Sequence, residues 1–567
     1  MFRNRIKLKF PAKAKTALYL VTATGFAFYA AANRLDDSSA AFPDKARALL
    51  HAVARSSRAL STIAVTAADY KYSLRGLPED SDEYGRRLSE VHLRSSKRIR
   101  ELCEANRGFY VKAGQFVAAM RQVPKEYSST LSSLQDQAVP CHFKAVKQVL
   151  IDNLGQNFSE KFLSLDEQPI AAASIAQVHR AMLADHQAVA VKIQYPGLGQ
   201  QMKIDTTTMS FLSKFVSLIF PDYRFGWLVS EFTKAIFAEL DFIQEARNCE
   251  RAAKNFNSNK MVKVPQVFWE LTTSKVLTMQ FCEGCKVDDI GFLKEKGIQP
   301  KKVAKLILEV FAEMIFVHGF VHGDPHPGNL LVCPEGSGGF SLVLLDHGIY
   351  KELDEGFRRD YCQLWKAMIL LDSQKILQLG EKFGVGKYSR YFPLIFTGRT
   401  INSKSTIGAE MPDEEKRNLK HELKSLKMED ISSFMESLPP DFLTLLRTDG
   451  LLRSILSKLG ASRQDRLLVY AKYALVGLQR KSAPQSDATI TVKFGQLKTA
   501  WSYLQLQILL GMDEYAVSVI QSIIAFSSRK VKLANVCRHS GATFLDGEDE
   551  ASPDQLLRMD CKLDELA

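Results

Sequence analysis

Two short motifs carry polar side chains at a spacing that could support chemistry. The first is Val321–Asn329, V-H-G-D-P-H-P-G-N, and the second is Leu345–Gly348, L-D-H-G. Asp324 and Asn329 are five residues apart, which is the spacing of the catalytic loop in kinases. In that loop an aspartate takes the proton of the substrate hydroxyl and an asparagine binds Mg²⁺. Asp346 would supply a second metal ligand, because hard cations prefer oxygen.

The chain between the motifs predicts a strand, a turn and a second strand, which would bring the motifs together. Leu330–Val332 and Leu342–Leu345 are apolar runs, and Gly336–Gly339 between them is rich in turn formers. Incidental acids in a His- and Pro-rich loop are the alternative interpretation. The order of the motifs and the hairpin between them favour a phosphoryl-transfer site.

One residue of the usual protein-kinase loop is missing. Gly323 stands where protein kinases carry arginine, and no A-P-E sequence follows downstream. That arginine normally receives a phosphorylated activation loop. The pattern therefore favours the small-molecule phosphotransferase version of the kinase fold over the protein-kinase version.

An upstream strand and loop predict a nucleotide-phosphate site. Ala188–Gln194, A-V-A-V-K-I-Q, matches the third kinase strand, whose lysine, here Lys192, binds the α- and β-phosphates. A loop earlier in the chain should cover those phosphates, and its residues are Ala171, Ala172, Ala173 and Ser174. Alanine restricts the backbone that glycine leaves free. The nucleotide must then be held differently, unless this stretch is only the start of a small-residue helix.

Phe232–Asn248 is predicted to form one helix that carries three acids, Glu239, Asp241 and Glu245. Asp241 and Glu245 are four residues apart and would share a helix face. One acid of this helix should pair with Lys192, as a glutamate of the αC helix does in kinases. A solvated acidic face is the alternative for any single acid.

A further polar pattern, K-x-G-Q, lies within Gly108–Phe116. Lys112 and Gln115 are three residues apart and would share one face of a helix. Gly114 between them would let that face approach another backbone closely. Alone, the pattern is a weak signal.

Length and composition indicate a large globular chain. With 567 residues, 46% hydrophobic and 24% charged, the chain should form two domains or one large domain with extensions. Its nine cysteines are odd in number and scattered, which argues against a disulfide framework. Cys282 and Cys285 form one C-x-x-C without a second pair, so a zinc site is disfavoured. No aromatic-basic or zinc module supports nucleic-acid binding despite the net charge of +12.

The N-terminus begins with basic residues and continues with an apolar segment. Arg3 to Lys15 contains no acid, and the first acid is Asp36. Thr16–Asn33 is uncharged and could belong to a mitochondrial presequence, a secretory signal or a membrane span. We favour mitochondrial import with a marginal inner-membrane anchor, because the basic region is long for a secretory signal.

The remaining chain predicts a hinge and a helical second half. The hinge should fall at Met279–Gly284, where Met279 and Phe281 would line the nucleotide site. Pro300 suits the first turn of a helix, and helices should continue beyond Asp346. Trp501–Phe526 is apolar but interrupted by charges, which favours two amphipathic helices over a span.

Six motifs follow one another in a fixed order over residues 108–348: K-x-G-Q, A-A-A-S, V-A-V-K, E-L-D-F-x-x-E-A-x-N, H-G-D-P-H-P-G-N and D-H-G. This set resembles the UbiB/AarF family of atypical kinases, and the flanking sequence is most similar to its AarF-domain-containing kinase 1 branch. The resemblance implies an α+β, protein-kinase-like two-lobe fold with an N-terminal helical extension and a mostly helical C-lobe and tail. His347 departs from the family, in which many members carry phenylalanine.

The resemblance also implies roles for individual residues. Asp324, Lys192 and Glu245 would be catalytic, and Asn329 and Asp346 would bind the metal. The regulatory extension would cover the site with the helix of Lys112, Gly114 and Gln115, whose ammonium and amide groups would bond the acids Glu239 and Asp241 beneath it. The implied segments are 1–35 for targeting, 36–150 for the extension, 151–285 for the N-lobe, 286–480 for the C-lobe and 481–567 for a C-terminal extension.

The implied activity is that of a Mg²⁺-dependent ATPase or phosphotransferase that binds ATP or ADP. The resemblance further implies a membrane lipid or quinone-like partner at the mitochondrial inner membrane and a role in coenzyme Q and lipid homeostasis. A non-catalytic, nucleotide-switched lipid-binding or scaffold protein is the alternative. A third possibility is an aminoglycoside-type kinase, against which K-x-G-Q and E-L-D-F speak.

Overall fold

The computed structural model describes residues 44–479, except 79, 119–122, 137–139, 221–225, 337, 404–410 and 426–427. The predicted targeting segment and the predicted helices of Trp501–Phe526 lie outside the described residues. Within the described part of the chain, no helix combines the length and the apolar character needed to cross a bilayer.

The N-terminal region is helical, as the resemblance implies. Its helices are α1 (Asp44–Ser73), α2 (Asp82–Asn106), α3 (Phe109–Ala118), α4 (Lys125–Leu131) and α5 (Phe143–Leu154), and 3-10 turns follow at Ser132–Asp136 and Gln156–Lys161. Ser81 caps α2, because its hydroxyl accepts a hydrogen bond from the backbone N–H of Tyr84. The K-x-G-Q pattern lies entirely on α3.

An antiparallel five-stranded sheet forms the N-lobe, and its strands are β1 (Phe162–Leu165), β2 (Ala171–Ala172), β3 (Ala176–Leu183), β4 (Ala188–Gln194) and β6 (Val276–Gln280). The order is β1-β3-β4-β6, with β2 paired to β3. Val189, Val191 and Ile193 point to one face of β4 and are buried against α5 and β1. Lys192 therefore lies on the opposite face of the strand.

Three helices connect β4 to the rest of the N-lobe: α6 (Leu198–Ile219), α7 (Gly226–Ala238) and α8 (Phe242–Phe256). The prediction of one helix over Phe232–Asn248 is wrong, because the helix ends at Ala238 and a new one begins at Phe242. Asp241 is the N-cap of α8, and its carboxylate accepts a 3.0 Å hydrogen bond from the N–H of Ile243. Aspartate is among the best N-cap residues, so local capping overrides the continuous helix.

The C-lobe places the two principal motifs at neighbouring strand ends. Its strands are β5 (Val262–Lys263), β7 (Cys285–Lys286), β8 (Phe320–His322), β9 (Leu330–Glu335), β10 (Gly339–Leu344) and β11 (Tyr350–Glu352). They form a sheet of order β5-β10-β9-β7 and a β11-β8 pair. The predicted hairpin is confirmed, since β9 and β10 pair antiparallel with Leu330 opposite Leu344.

Helices account for most of the described C-lobe, as predicted. They are α9 (Ile290–Glu295), α10 (Pro300–Ala312), α11 (Glu355–Ile369), α12 (Ser373–Lys382), α13 (Phe392–Thr397), α14 (Asp413–Ser425), α15 (Met428–Ser437), α16 (Pro440–Lys458) and α17 (Arg463–Gln479). Pro300 occupies the first turn of α10, as expected. Phe442 of α16 is fully buried in a cluster of aromatic rings that includes Phe357 and Phe392, and this cluster anchors α16 in the lobe.

The helical extension and the N-lobe share one hydrophobic core. Phe109 and Leu131 of the extension belong to the same buried cluster as Phe242, Leu277 and Met279 of the N-lobe. A buried ion pair between Arg55 of α1 and Asp205 of α6 adds a polar link between the two regions. The extension thus packs as part of the N-lobe, and the predicted α+β two-lobe architecture is confirmed.

Candidate active site

Lys192 lies at the centre of a buried ion-pair cluster between the lobes. Its Nζ is 2.7 Å from Oε1 and 2.9 Å from Oε2 of Glu245, which comes from α8. The same Nζ is 3.0 Å from Oδ1 of Asp346, directly beyond β10. The structure thus joins Lys192 to Glu245 and not to Asp241, and it brings three of the predicted site residues into contact.

Lys192 and Asp346 favour each other's charged forms, whereas burial dominates at Glu245 and raises its pKa to about 7. Burial by itself would lower the pKa of Lys192, but Asp346 and Glu245 outweigh it and hold the pKa above its usual value. Burial would likewise raise the pKa of Asp346, yet Lys192 and Lys112 hold it well below its usual range. The electrostatic environment therefore favours the ammonium form of Lys192 and the carboxylate form of Asp346.

A second buried lysine, Lys112 of α3, reaches the catalytic loop. Its Nζ is 2.9 Å from Oε1 of Glu239 and 3.6 Å from Oδ2 of Asp324. Burial opposes its charge, but Glu239, Asp324 and Asp346 together raise the pKa of Lys112. The predicted contact between the extension and Glu239 is present, and it extends to the predicted catalytic acid.

Arg447 of α16 contacts the same aspartate from the other side. Its Nη2 is 3.2 Å from Oδ1 of Asp324, and its guanidinium lies 4.9 Å from the ring centroid of Phe116 on α3. Burial raises the pKa of Asp324, but Lys112 and Arg447 more than offset this and lower it overall. Both carboxylate oxygens of Asp324 are thus engaged by cations.

The two predicted metal ligands, Asn329 and Asp346, lie on adjoining backbone segments. The N–H of Leu345 donates a 2.8 Å hydrogen bond to the carbonyl of Asn329, so the two motifs meet where β9 begins and β10 ends. The Asn329 amide Nδ2 donates to the backbone carbonyl of Asp324 at 3.1 Å, which leaves its Oδ1 available to a cation. Asp346 has a φ of 52°, a left-handed conformation that aspartate tolerates better than most residues.

This donor set fits Mg²⁺ bound together with nucleotide. Among the described residues, no group of three or more His, Cys, Asp or Glu side chains is placed to hold a metal ion. Mg²⁺ in kinases is usually held by one or two protein oxygens plus substrate phosphates and water. The Asp346 carboxylate and the Asn329 amide oxygen could therefore supply the protein ligands of such a Mg²⁺ ion.

Two buried histidines, His322 and His347, orient the backbone around Asp324 and Asp346. His322 Nε2 donates to the carbonyl of Leu345, and its Nδ1 accepts from the N–H of Asp324 at 3.1 Å. His347 Nε2 donates to the carbonyl of Leu344, and burial lowers the pKa of His347 to about 3. His347, which replaces the phenylalanine of many family members, fits here as a neutral ring whose Nδ1 accepts a 3.1 Å hydrogen bond from the Tyr350 hydroxyl.

The predicted phosphate-covering residues form a short hairpin instead of an open loop. Ala171 and Ala172 form β2, and the N–H of Ala173 donates to the carbonyl of Ala176 to close the turn around Ser174. The carbonyl of Ser174 is 3.7 Å from the position of a hypothetical Cβ on Gly108, just before α3. The alanine segment therefore lies next to the N-terminal end of α3.

The hinge residues differ in their exposure. Met279 of β6 pairs with Ala190 of β4, and the Met279 side chain is buried in the core shared by the extension and the N-lobe. The N–H of Phe281 donates to the carbonyl of Ala188, and its ring stacks with the guanidinium of Arg180 at 4.7 Å. Phe281 is therefore the more accessible of the two predicted nucleotide contacts.

Two predicted members of the regulatory extension make other contacts. Gln115 donates from Nε2 to the carbonyl of Leu134 at 3.0 Å, so its expected bond to the acids Glu239 and Asp241 is not formed. Asp241 is exposed and serves as a helix cap. Gly114 allows a close approach, but of side chains and not of the predicted backbone, because a Cβ there would collide with Leu134 Cδ1 and lie 3.2 Å from Cys103 Sγ.

Two polar residues of the site were not singled out from the sequence. Arg447 binds Asp324 from 123 residues away and belongs to no motif. Asn248 of α8 donates from Nδ2 to the carbonyl of His347 at 3.0 Å, and so links the helix of Glu245 to the segment that contains Asp346. Asn248 is the last residue of the E-A-x-N motif, and its place in that motif could have marked it as a site residue.

The fold and the site together define an atypical kinase-like protein. A family model described as the ABC1 atypical kinase-like domain matches residues 133–380. The AarF domain-containing protein kinase 1 of Gallus gallus is 41% identical over 72% of this chain and 79% of that protein. The AarF domain-containing kinase 1 of Drosophila melanogaster is 34% identical over 80% of this chain and 89% of that protein. This chain belongs to the ABC1/AarF family of atypical kinases.

A solved structure from Mycobacterium tuberculosis, the Rv3197–erythromycin complex, is also similar, at 24% sequence identity and a TM-score of 0.42. The match covers 67% of this chain and 95% of that chain.

Proposed function

We propose that this chain is a Mg²⁺-dependent, nucleotide-binding ATPase or phosphotransferase. The pairing of Lys192 with Glu245, next to Asp346, carries the proposal, because kinases use such a lysine–glutamate pair at the nucleotide phosphates and a neighbouring aspartate for Mg²⁺. Asn329 and Asp346 would hold Mg²⁺, which neutralises phosphate charge when bound. Asp324 would orient the attacking hydroxyl or water and accept its proton.

The test is Asp346→Asn, which replaces a charged ligand of a hard cation by a neutral amide. Thermal unfolding of the full chain is measured with ATP or ADP, with and without Mg²⁺. The wild type should gain stability from nucleotide only when Mg²⁺ is present, and Asp346→Asn should lose most of that gain. Asp241→Asn is the matched control, since asparagine caps a helix as well as aspartate. An unchanged Mg²⁺-dependent gain in Asp346→Asn contradicts the metal assignment.

A non-catalytic nucleotide switch is the second candidate function. It is favoured by the contacts of Lys112 and Arg447 with the two Asp324 oxygens, because these cations would compete with a substrate hydroxyl for the acid. If the chain is catalytic, we expect weak ATP hydrolysis in the wild type, more hydrolysis in Lys112→Ala, and little phosphorylation of added proteins. Nucleotide binding without ATP hydrolysis in both chains would support the non-catalytic switch instead. Robust phosphorylation of generic proteins that does not respond to Lys112→Ala would contradict the covering role of α3.

Location and partners complete the proposal. Residues 1–33 direct import into mitochondria, and the protein acts at the inner membrane on a lipid or quinone-like molecule. The basic, acid-free start and the family resemblance support this part. A fusion of residues 1–33 to a fluorescent protein tests the location, and secretory or cytosolic fluorescence would contradict it. ATP hydrolysis with and without lipid vesicles tests the partner, and we expect the vesicles to stimulate turnover.

A further inference from the structure

The catalytic loop itself supplies no cation to its aspartate. Val321–Asn329 contains neither lysine nor arginine, and His326 uses its Nδ1 to accept from the N–H of Gly328 at 3.1 Å. The cations that reach Asp324 come from two distant elements, Lys112 on α3 and Arg447 on α16. They bind different oxygens, Oδ2 and Oδ1 respectively.

The helix that carries Arg447 is firmly held inside the C-lobe. Asp449, two residues further along α16, is buried and pairs with Arg453 at 2.5 Å and with Arg466 of α17 at 3.0 Å. At the start of the helix, Asp441 pairs with Lys351 at 2.7 Å. Arg447 and Asp324 are therefore held by the same lobe.

Lys112 has a different anchorage. Its helix, α3, packs into the core shared by the extension and the N-lobe, so its contact with Asp324 crosses between lobes. The contact is also longer than that of Arg447, at 3.6 Å against 3.2 Å. Lobe movements in kinases and related enzymes are hinge motions that separate elements anchored on opposite sides. Such a motion would break the Lys112 contact and separate Phe116 of α3 from Arg447, but it would leave the Arg447–Asp324 contact, which lies within one lobe.

We propose that Arg447 is a positioning residue that holds Oδ1 of Asp324 while the withdrawal of Lys112 frees Oδ2 for the acceptor hydroxyl. The inference rests on the proposed catalytic function and deepens it. Lys112 is then the removable partner of the acid and Arg447 the permanent one. A bond to one carboxylate oxygen fixes the orientation of the other, and orientation of a reacting group is a large part of phosphoryl-transfer catalysis.

The test compares Arg447→Gln and Arg447→Lys in the full chain, each alone and combined with Lys112→Ala. ATP hydrolysis is measured for kcat and KM, and nucleotide binding is measured by thermal shift. In the Lys112→Ala chain, Arg447→Gln should lower kcat by about tenfold or more with little change in KM, because only orientation of the acid is lost. Arg447→Lys should restore part of kcat, since it keeps the charge. Lys458→Gln removes a charge from the exposed end of α16 and should leave kcat unchanged.

The remaining outcomes separate this inference from the proposed function. An increase of kcat in Arg447→Gln would show that Arg447 inhibits the reaction, and an unchanged kcat would show that it only packs in the structure. Either result overturns the inference but not the proposed catalytic function. A fall in kcat that Arg447→Lys does not restore, together with a lower unfolding temperature, also overturns it. Nucleotide binding without turnover in every chain, including Lys112→Ala, overturns the catalytic function itself and the inference with it.

Discussion

The two buried lysines of the site have the same kinds of partners but contact them at different distances. Lys192 and Lys112 each bind one glutamate of the N-lobe and one aspartate of a C-lobe motif. The Lys192 contacts are 2.7 and 3.0 Å, whereas those of Lys112 are 2.9 and 3.6 Å. Asp324 also has Arg447 as a second cationic partner.

This difference separates assembly of the site from access to it. The Lys192 cluster joins the residues that would bind phosphate and metal, so its loss should remove the nucleotide site. The Lys112 cluster places a helix of the extension over the residue that would meet the acceptor. Its loss should open the site without dismantling it. Variants that break each cluster in turn can test this division.

The largest effect is expected for Lys192→Ala. It leaves Glu245 and Asp346 buried without their cation, and breaking a buried ion pair on one side costs about 3–5 kcal/mol. Chemical denaturation measures the free energy of unfolding, and nucleotide binding should disappear. Lys234→Ala removes a lysine of an exposed pair with Glu231 and should change stability by less than about 0.5 kcal/mol. Equal losses in the two variants would refute the role of the Lys192 cluster.

Lys112→Ala should cost less, about 2–3 kcal/mol, since Asp324 keeps Arg447 as a partner and mainly Glu239 loses its cation. Mg²⁺-dependent nucleotide binding should persist. The measurements are chemical denaturation and the thermal shift with nucleotide. Loss of nucleotide binding equal to that of Lys192→Ala would mean that the two clusters do not have separate roles.

Gly114→Ala tests the close packing that brings Lys112 to the site. The added methyl group would collide with Leu134 and crowd Cys103, and overpacking of this kind costs about 1–2 kcal/mol. Chemical denaturation provides the value. Gly85→Ala on α2 is the control, because a Cβ there meets no atom within 4 Å. The control should be neutral or more stable by up to about 1 kcal/mol. If Gly114→Ala is equally neutral, α3 can shift without strain.

The smallest effect is expected at Asp69, in a peripheral ion-pair group of the extension. Hydrogen bonds from Arg94 and Arg98, partly opposed by burial, hold the pKa of Asp69 well below its ordinary value of 3.8. Its stabilising contribution is therefore present above pH 3.8 and is lost as the pH falls below that value. Asp69→Asn should cost about 1 kcal/mol or less at pH 7. Thermal unfolding at pH 7 and pH 3 should show a smaller difference from the wild type at pH 3, and an equal difference would contradict the assignment.

The core of the site could be predicted because it depends on short motifs of fixed geometry. The spacing of Asp324 and Asn329, the hairpin after them and the lysine of V-A-V-K each require only local structure. The structure pairs Lys192 with Glu245 and places Asn329 next to the Asp346 segment through the β9–β10 register. Local pattern and tertiary contact therefore agree in this part of the molecule.

The contacts that could not be predicted depend on competition or on distance. Asp241 could have lain on a helix face, but an aspartate at that point gains more as an N-cap. Gln115 could have bonded an acid, but the carbonyl of Leu134 is within its reach. Arg447 comes from a helix without a motif, and no spacing in the sequence relates it to Asp324.

The core shared by the extension and the N-lobe has a consequence for the order of folding during synthesis. Phe109 and Leu131 leave the ribosome long before Leu277 and Met279, the strand residues that complete their core. The first helices must therefore wait, partly assembled and with apolar surface exposed, for more than a hundred further residues. A nascent chain stalled before β6 should accordingly bind chaperones that a chain stalled after β6 releases. The extension is made first, but it can reach its final packing only together with the lobe that follows it.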